Sequence, residues 1–332
     1  MNNMKTPYLP TSTRYLSLCA GFVGALCAAA ISQAAIVTMT AGDGFGASSF
    51  NSAGTWDNGL APSAGNDYFN ATYLLRTPAS GNASFTFAGD SLTITGSGLA
   101  TAVNNESLMW KGSGTGAIIT VNNLTINGGQ LRHGQGDADS FTLAGNVMIG
   151  ANNANFATQG GMIIAAPIAG TSTIRILDSG NTDARRLVTF ASGANAFTGN
   201  LQLAGSAANR ARIALADDAN WNFVIGASGV NNSISGIGTA TFNGDFNFDL
   251  TGASSTWGST WNIVSVSTIT ETFGSTFTVA GWTDMGSYWT TSANGTTYSF
   301  DEITGVLAIP EPSTGALLLG GLGLLLGLRR RA

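Results

Sequence analysis

One short segment of the chain collects residue types that are able to do chemistry. His133 is the only histidine, and it stands just before Asp137 and Asp139. A Ser-His-Asp triad would have to use this histidine, and two aspartates that point the same way from a strand could form a carboxylate pair or half of a Ca²⁺ site. The interspersed Gly134 and Gly136 are more typical of a polar turn on the rim of a repeat structure. We therefore predict no catalytic residue, no metal site and no cofactor.

The charge of the chain argues against nucleic acid as a partner. The segment from Ala35 to Ile309 carries 8 basic and 17 acidic residues, a formal charge of −9. Its basic residues are scattered along the sequence and form no cluster. Binding to nucleic acid depends on grouped cations that neutralise phosphates. Hydrophobic residues make up 44% of the whole chain, so the segment is long and apolar enough to bury a core.

The N-terminus has the composition of a secretory signal peptide. Two cationic residues precede an apolar run from Leu16 to Ala30, and Ser32-Gln33-Ala34 offers small residues to a signal peptidase. We predict a signal helix within residues 1–34 and cleavage after Ala34 or Ala35. The alternative is an N-terminal anchor that is never cleaved.

Both cysteines, Cys19 and Cys27, lie inside this predicted signal. The processed chain would therefore contain no thiol, no disulfide and no cysteine-ligated metal.

The C-terminus has three parts in a fixed order. Pro310-Glu311-Pro312 is extended, because prolines are excluded from helix interiors. The apolar run from Gly315 to Leu328 becomes just long enough to span a bilayer when Ser313 and Thr314 are added, so residues 313–328 are a marginal transmembrane helix. Positively charged residues stay on the cytoplasmic side of a membrane. The arginines at the end therefore predict that the chain before Pro310 lies outside the cytoplasm. These arginines are Arg329, Arg330 and Arg331.

This order of parts resembles the PEP-CTERM sorting signal of Gram-negative bacteria. The resemblance implies that Pro310, Glu311 and Pro312 are recognised by a membrane transpeptidase of the exosortase type. It also implies that the chain is exported, held briefly in the inner membrane, and then passed to the cell surface or the extracellular matrix. The resemblance covers residues 310–332 only. A plain C-terminal anchor that is never processed is the alternative.

Alternating triplets, in which two apolar residues flank a small polar one, indicate β-strands between the two ends. Examples are Phe85-Thr-Phe87, Ile119-Thr-Val121 and Phe141-Thr-Leu143, each followed after a turn by a second triplet. The second triplets recur from Ile94 to Ile126 to Ile149, at intervals of 32 and 23 residues. This interval is about one coil of a parallel β-helix, whose stacked coils bury a continuous interior. The central residues that should face outward are Thr93, Thr120, Thr125 and Thr142.

We therefore predict an all-β fold, a right-handed parallel β-helix with an aromatic C-terminal cap. A β-sandwich is the alternative, because it also has short strands joined by frequent turns. The phrases 121–129 and 195–203 resemble autotransporter-associated β-strand repeats. The predicted domains are a signal peptide (1–34), an N-terminal capping module (35–78) with Trp56 as a packing plug, β-helix-like repeats (79–252), a C-terminal β cap (253–309) and the sorting signal (310–332).

Two function classes remain open after these observations. The first is a structural or adhesive protein of the cell surface, sorted through its tail, with extracellular polysaccharide as a partner. The second is a polysaccharide-active lyase or hydrolase, or a carbohydrate-binding β-helix protein, which would need acidic and basic residues converging on one face. Ice binding is a minor third, because alternating triplets such as Leu201-Gln-Leu203 interrupt the regular threonine array that it needs.

Overall fold

A computed structural model describes residues 34–268 and 273–311, and these residues form strands, turns and loops without an α-helix. Within these two ranges no helix is long and apolar enough to cross a membrane. The predicted signal helix, which ends before Ala34, and the predicted transmembrane helix at 313–328 lie outside the described residues.

Twenty-seven strands are described and numbered in chain order. They are β1 (Ala35–Thr38), β2 (Asn66–Phe69), β3 (Leu75–Arg76), β4 (Phe85–Thr86), β5 (Ser91–Thr95), β6 (Ser107–Trp110), β7 (Ala117–Asn127), β8 (Gln130–His133), β9 (Ser140–Ile149), β10 (Ala154–Ala157), β11 (Gly161–Ile164), β12 (Ile168–Gly170), β13 (Ile174–Leu177), β14 (Leu187–Phe190), β15 (Ala196–Phe197), β16 (Leu201–Ala204), β17 (Arg212–Leu215), β18 (Asn220–Val224), β19 (Ile234–Phe242), β20 (Asp245–Asp249), β21 (Thr260–Asn262), β22 (Val264–Thr268), β23 (Thr278–Val279), β24 (Thr283–Asp284), β25 (Tyr288–Ala293), β26 (Thr296–Asp301) and β27 (Val306–Ala308).

Most of these strands pair in three parallel stacks, which the chain visits in a constant order. The first stack contains β1, β2, β5, the second halves of β7 and β9, β12 and β15, and the parallel sheet β18-β20-β23 follows it along the chain. The second contains β3, β6, β8, β10, β13, β16, the first half of β19, and β22. The third contains β4, the first halves of β7 and β9, β11, β14, β17 and the second half of β19.

This pairing is the arrangement of a parallel β-helix with three sides. The β-sandwich alternative is wrong, because the sheets of a sandwich are antiparallel. The predicted handedness stays a prediction, as do the domain boundaries.

The interior is built from rows of apolar residues in register. Ile94 pairs with Ile126, which pairs with Ile149, and all three are at most 3% exposed. The repeat that the sequence indicated is therefore confirmed as the stacking of successive coils. The predicted outward threonines are half-buried on the outer surface, as expected for strands whose side chains alternate between the two faces.

Glycines allow the long strands to turn a corner between two stacks. Gly145 in β9 has a φ of 100°, and a Cβ at this position would lie 1.9 Å from the carbonyl oxygen of Val121 in the neighbouring coil. Gly236 in β19 has a φ of 112°, and its Cβ would lie 2.2 Å from the carbonyl oxygen of Leu203. Only glycine fits both the positive φ and the close backbone approach. The two triplets of a predicted pair thus lie on adjacent sides of a coil, not side by side in a hairpin.

An aromatic cluster lies over the interior at the N-terminal end. Trp56 is 3% exposed, and its ring lies 4.8 Å from that of Tyr68 and 6.5 Å from that of Phe87. Its indole Nε1 donates a hydrogen bond to the carbonyl of Ser49 at 2.7 Å. Trp56 therefore packs as a plug, as the sequence indicated, and its ring is not available to a ligand.

An antiparallel sheet and a second aromatic cluster close the C-terminal end. The sheet has the order β21-β27-β26-β25-β24. Phe300 of β26 is fully buried, and its ring lies within 6 Å of those of Phe246 and Phe248 in β20, a strand of the parallel array. Phe277 adds an edge-on contact to Phe246 at 4.9 Å. Aromatic pairs of this kind contribute packing energy beyond the area that they bury.

The cap should be necessary for the stability of the whole array. Phe246→Ala removes a fully buried ring at the junction of coil and cap, so we expect the free energy of unfolding to fall by about 3–5 kcal/mol. Urea denaturation followed by tryptophan fluorescence would measure it. Trp257→Ala is the control, since this side chain is 67% exposed and its loss should cost less than about 0.5 kcal/mol. Equal losses of stability in the two variants would contradict the role of this aromatic cluster in stabilising the array.

Candidate functional site

His133 lies in the core and not on a rim turn, so its predicted position is wrong. It ends β8 and is 0% exposed. Its ring packs on Trp110 at 4.9 Å and near Phe141 at 6.1 Å. The alternation of β8 could have revealed this, because the side chain lies two residues after the inward Leu131 and hence on the same face.

Both ring nitrogens of His133 are occupied by the backbone. Nδ1 accepts a hydrogen bond from the Gln135 N–H at 3.3 Å, and Nε2 lies 3.1 Å from the carbonyl oxygen of Asp139. A carbonyl oxygen can only accept, so Nε2 carries the proton. Burial lowers the pKa of His133 to about 4, although the backbone and carboxylate of Asp139 oppose this shift. The imidazole is neutral at pH 7 and is not placed to act as a general base.

The two aspartates that follow bond to different partners and not to a shared ligand site. Asp137 accepts a hydrogen bond from Nε of Arg186 at 2.5 Å in a partly buried ion pair. Asp139 accepts from the N–H groups of Gly114 at 2.6 Å and Gly136 at 3.1 Å. Elsewhere in the described ranges, too, no group of three His, Cys, Asp or Glu side chains is arranged to hold a metal ion.

The predicted signal-cleavage residues lie where the described chain begins. Ala34 precedes β1, and the N–H of Ala35 donates to the carbonyl of Gly65 at 3.2 Å. Ala35 is also the first register partner of β1, opposite Asn66 in β2. Cleavage after Ala34 would leave this strand complete, whereas cleavage after Ala35 would remove its first pair.

The sorting segment begins where the last strand ends. The N–H of Ile309 donates to the carbonyl of Ser259 at 2.9 Å, and its carbonyl accepts from the N–H of Gly258 at 3.1 Å. Ile309 is 2% exposed, while Pro310 and Glu311 are both exposed. Two predicted parts of the sorting signal lie outside the described residues. They are the recognition residue Pro312 and the cytoplasmic stop formed by Arg329, Arg330 and Arg331.

Comparison with known proteins identifies this segment. Residues 308–331 match the family described as the PEP-CTERM protein-sorting motif. No curated protein matches the chain. The motif indicates an exported protein of a Gram-negative bacterium that is sorted by an exosortase. The match does not extend into the β-helix, so the likeness of that part to autotransporter-associated repeats stays a prediction.

The fold also groups charges that are scattered in the sequence. Arg76, Lys111 and Arg132 come to lie on one outward-facing side of the second stack, with Arg76 buried. The charge of Arg76 helps to lower the pKa of both Lys111 and Arg132. The sequence-based statement that the chain has no basic cluster is therefore wrong in three dimensions. The strand register brings the three residues together, and no local sequence pattern predicts this.

The pH dependence of stability tests the burial of the histidine. Because the pKa of His133 is about 4 in the folded chain and about 6.5 when exposed, the unfolded chain binds more protons between these values. Stability should be complete above about pH 6.5 and fall by about 3 kcal/mol as the pH is lowered toward 4. Urea unfolding at closely spaced pH values would measure the slope.

The slope between about pH 5 and 6.5 comes mainly from His133, because the chain has a single histidine and carboxylates titrate mostly below this window. Glu302 is the exception, since burial raises its pKa, and the comparison with a histidine variant removes its contribution. His133→Gln should therefore flatten the slope. A slope that is unchanged in this variant would contradict the buried, neutral state.

Proposed function

We propose that the chain is an exported structural or adhesive protein of the cell surface or extracellular matrix, delivered there by its C-terminal motif. The observation that carries the proposal is the match of residues 308–331 to the PEP-CTERM protein-sorting motif. The exposure of Pro310 and Glu311 supports it further, since a membrane enzyme has to reach these residues. In this proposal a signal peptidase acts at Ala34 or Ala35 first, and the exosortase acts at the motif afterwards.

A role without catalysis is supported by the way in which the polar residues are used. His133, Asp137 and Asp139 are each engaged by backbone groups or by Arg186. A stacked solenoid offers a rigid, extended surface, which suits an adhesive or scaffolding role. Extracellular polysaccharide is the partner that we propose for this surface, and a polysaccharide-active enzyme is the alternative that the following test addresses.

The purified protein should not depolymerise acidic or neutral polysaccharides, as measured by the release of reducing ends. If it does, two variants identify the role of Asp137. Asp137→Ala and Arg186→Gln break the same ion pair, so loss of activity in both would indicate a structural effect. Loss in Asp137→Ala alone would make this carboxylate catalytic and would refute the proposal.

The tail should direct processing in a host that carries the sorting enzyme. We expect the released protein to lack everything beyond the Pro-Glu-Pro segment, as measured by mass spectrometry of the extracellular form. Glu311→Ala removes the only charge of that segment, and replacing Arg329, Arg330 and Arg331 by glutamine removes the cytoplasmic stop. Both variants should leave uncut or mislocalised protein in the membrane fraction.

Asp217→Ala is the matched control, because it removes one exposed carboxylate far from the motif along the chain. Its processing should equal that of the wild type. Released protein that still carries Leu328 to Ala332 would show that the tail is an anchor and not a sorting signal.

A further inference from the structure

Three cations lie around Met109 in an outward-facing row of the second stack, in which Met109 is 6% and Arg76 7% exposed and Lys111 and Arg132 are half-buried. Arg76 is the register partner of Met109, and Met109 is the register partner of Arg132. Neighbouring strands are about 4.8 Å apart, so the backbones of the two arginines are separated by about 10 Å. Lys111 follows Met109 by two residues and lies on the same side, beside Gly134. We call Arg76, Lys111 and Arg132 the cation cluster.

The positive charge of the cation cluster is not neutralised by carboxylates. Lys111 Nζ donates to the carbonyl of Gly134 at 2.6 Å and to Oε1 of Gln135 at 3.0 Å. Arg76 Nη1 donates to the carbonyl of Gly44 at 2.6 Å. These acceptors are all neutral.

Two donor groups of the cluster have no acceptor at all within the described part of the chain. The guanidinium of Arg132 is one of them, and the other is Nε of Arg76, which is buried. Arg185, Arg186 and Arg210 each pair with an aspartate, whereas Arg175 and Arg212 donate to neutral acceptors.

The carboxylate of Asp43, which bonds to the backbone of Arg76, does not pair with the cations. Asp43 accepts hydrogen bonds from the N–H of Ser49 at 2.9 Å and from its hydroxyl at 2.5 Å. Its third bond, at 2.8 Å, comes from the backbone N–H of Arg76 and not from the guanidinium. Asp43 therefore fixes the loop from Asp43 to Ser49 against the backbone of Arg76. No ion pair within 4.0 Å joins any described carboxylate to the cation cluster.

Holding these cations together is unfavourable for the fold alone. Burial, and then the charges of Arg76 and Arg132, lower the pKa of Lys111. Burial and Arg76 likewise lower the pKa of Arg132. Like charges that destabilise one another at a partly buried position are more typical of binding sites than of structural networks.

An exposed aromatic ring lies beside the cluster. Phe45 is 99% exposed, and the guanidinium carbon of Arg76 lies 5.7 Å from the centre of its ring. An inorganic ion gains nothing from contact with an apolar ring, whereas the apolar face of a sugar can stack on it. The combination of cations and an exposed ring is suited to an organic anion with an apolar side.

We propose that Arg76, Lys111 and Arg132 bind one oxyanionic group of an acidic glycan, and that Phe45 contacts the sugar that carries it. Arginine binds a carboxylate or a sulfate through two parallel hydrogen bonds, and lysine adds a point charge. The formal charge of −9 on the segment from Ala35 to Ile309 repels long polyanions. The site therefore takes one anionic group of a short acidic oligosaccharide and does not bind a long polyanion along its length. The inference concerns the ligand of the proposed surface protein, and it does not depend on how the tail is processed.

Isotope-labelled lysine methyl groups give a direct test on the full chain in detergent. The chain has two lysines, Lys5 and Lys111, so reductive methylation produces two side-chain signals, and Lys111→Arg assigns the second. The probes are inorganic sulfate, inorganic phosphate, an oligogalacturonate and a neutral galacto-oligosaccharide, all at one ionic strength set with sodium chloride. We expect a saturable shift of the Lys111 signal with oligogalacturonate, a weaker one with the free ions, and none with the neutral sugar.

Calorimetry on variants separates the site from general electrostatics. Arg132→Gln should weaken oligogalacturonate binding about tenfold or more, because it removes a charged hydrogen-bond donor. Arg185→Gln removes the same charge from an exposed, paired arginine and should leave the affinity within about twofold of the wild type. Phe45→Ala should weaken binding of the oligosaccharide but not of sulfate.

Folding of the variants is controlled without ligand. Arg132→Gln removes like-charge repulsion, so its melting temperature should not fall below that of the wild type; if the variant does not fold, Lys111→Gln takes its place in the calorimetry. Three results would overturn the proposal: no saturable shift with any oxyanion, equal weakening by Arg132→Gln and Arg185→Gln, or binding of free sulfate as tight as that of the oligosaccharide.

Discussion

Register between successive coils is the constraint on which the rest of the structure depends. A parallel strand satisfies its backbone groups only through strands of the coils before and after it, so a single coil cannot exist alone. The rows of inward residues, such as Ile94, Ile126 and Ile149, fix this register because a slip by one residue would turn every apolar side chain outward. The stack has two open ends as a consequence, and aromatic clusters around Trp56 and Phe300 cover them.

The same register decides which outward residues meet. Arg76 and Arg132 are far apart in the sequence, yet both are neighbours of Met109, and the repulsion between their charges is a direct product of the stacking. Inward rows are selected for packing, but an outward row is free to vary. Cations in an outward row that have no carboxylate partner therefore carry information about a ligand, in a way that an inward apolar row cannot.

Alternation was sufficient to predict the strands and their inward faces, but it did not predict the sides of the coil. The triplets beginning at Phe85 and Leu92 lie in different stacks, because the turn between them is a corner of the coil. His133 was misplaced for a related reason: its neighbouring glycines suggested a turn, while its spacing from Leu131 put it in the core. The aspartates that follow it bond to backbone N–H groups and to Arg186, and their predicted lack of a catalytic role stays a prediction. The sorting motif needed only its local order of residues, so the sequence sufficed there.

The junction between the fold and the motif follows from the chemistry of proline. β27 is paired on both sides, with β21 and with β26, and Ile309 continues this bonding by one residue. Pro310 has no N–H to donate and therefore cannot extend the ladder. Strand pairing therefore stops at Pro310 because of the chemical structure of proline itself. Glu311, the next residue, is exposed. The residue type that excludes the segment from the sheet is thus the one that leaves it accessible to a sorting enzyme, so the end of the folded domain and the start of the motif are specified together.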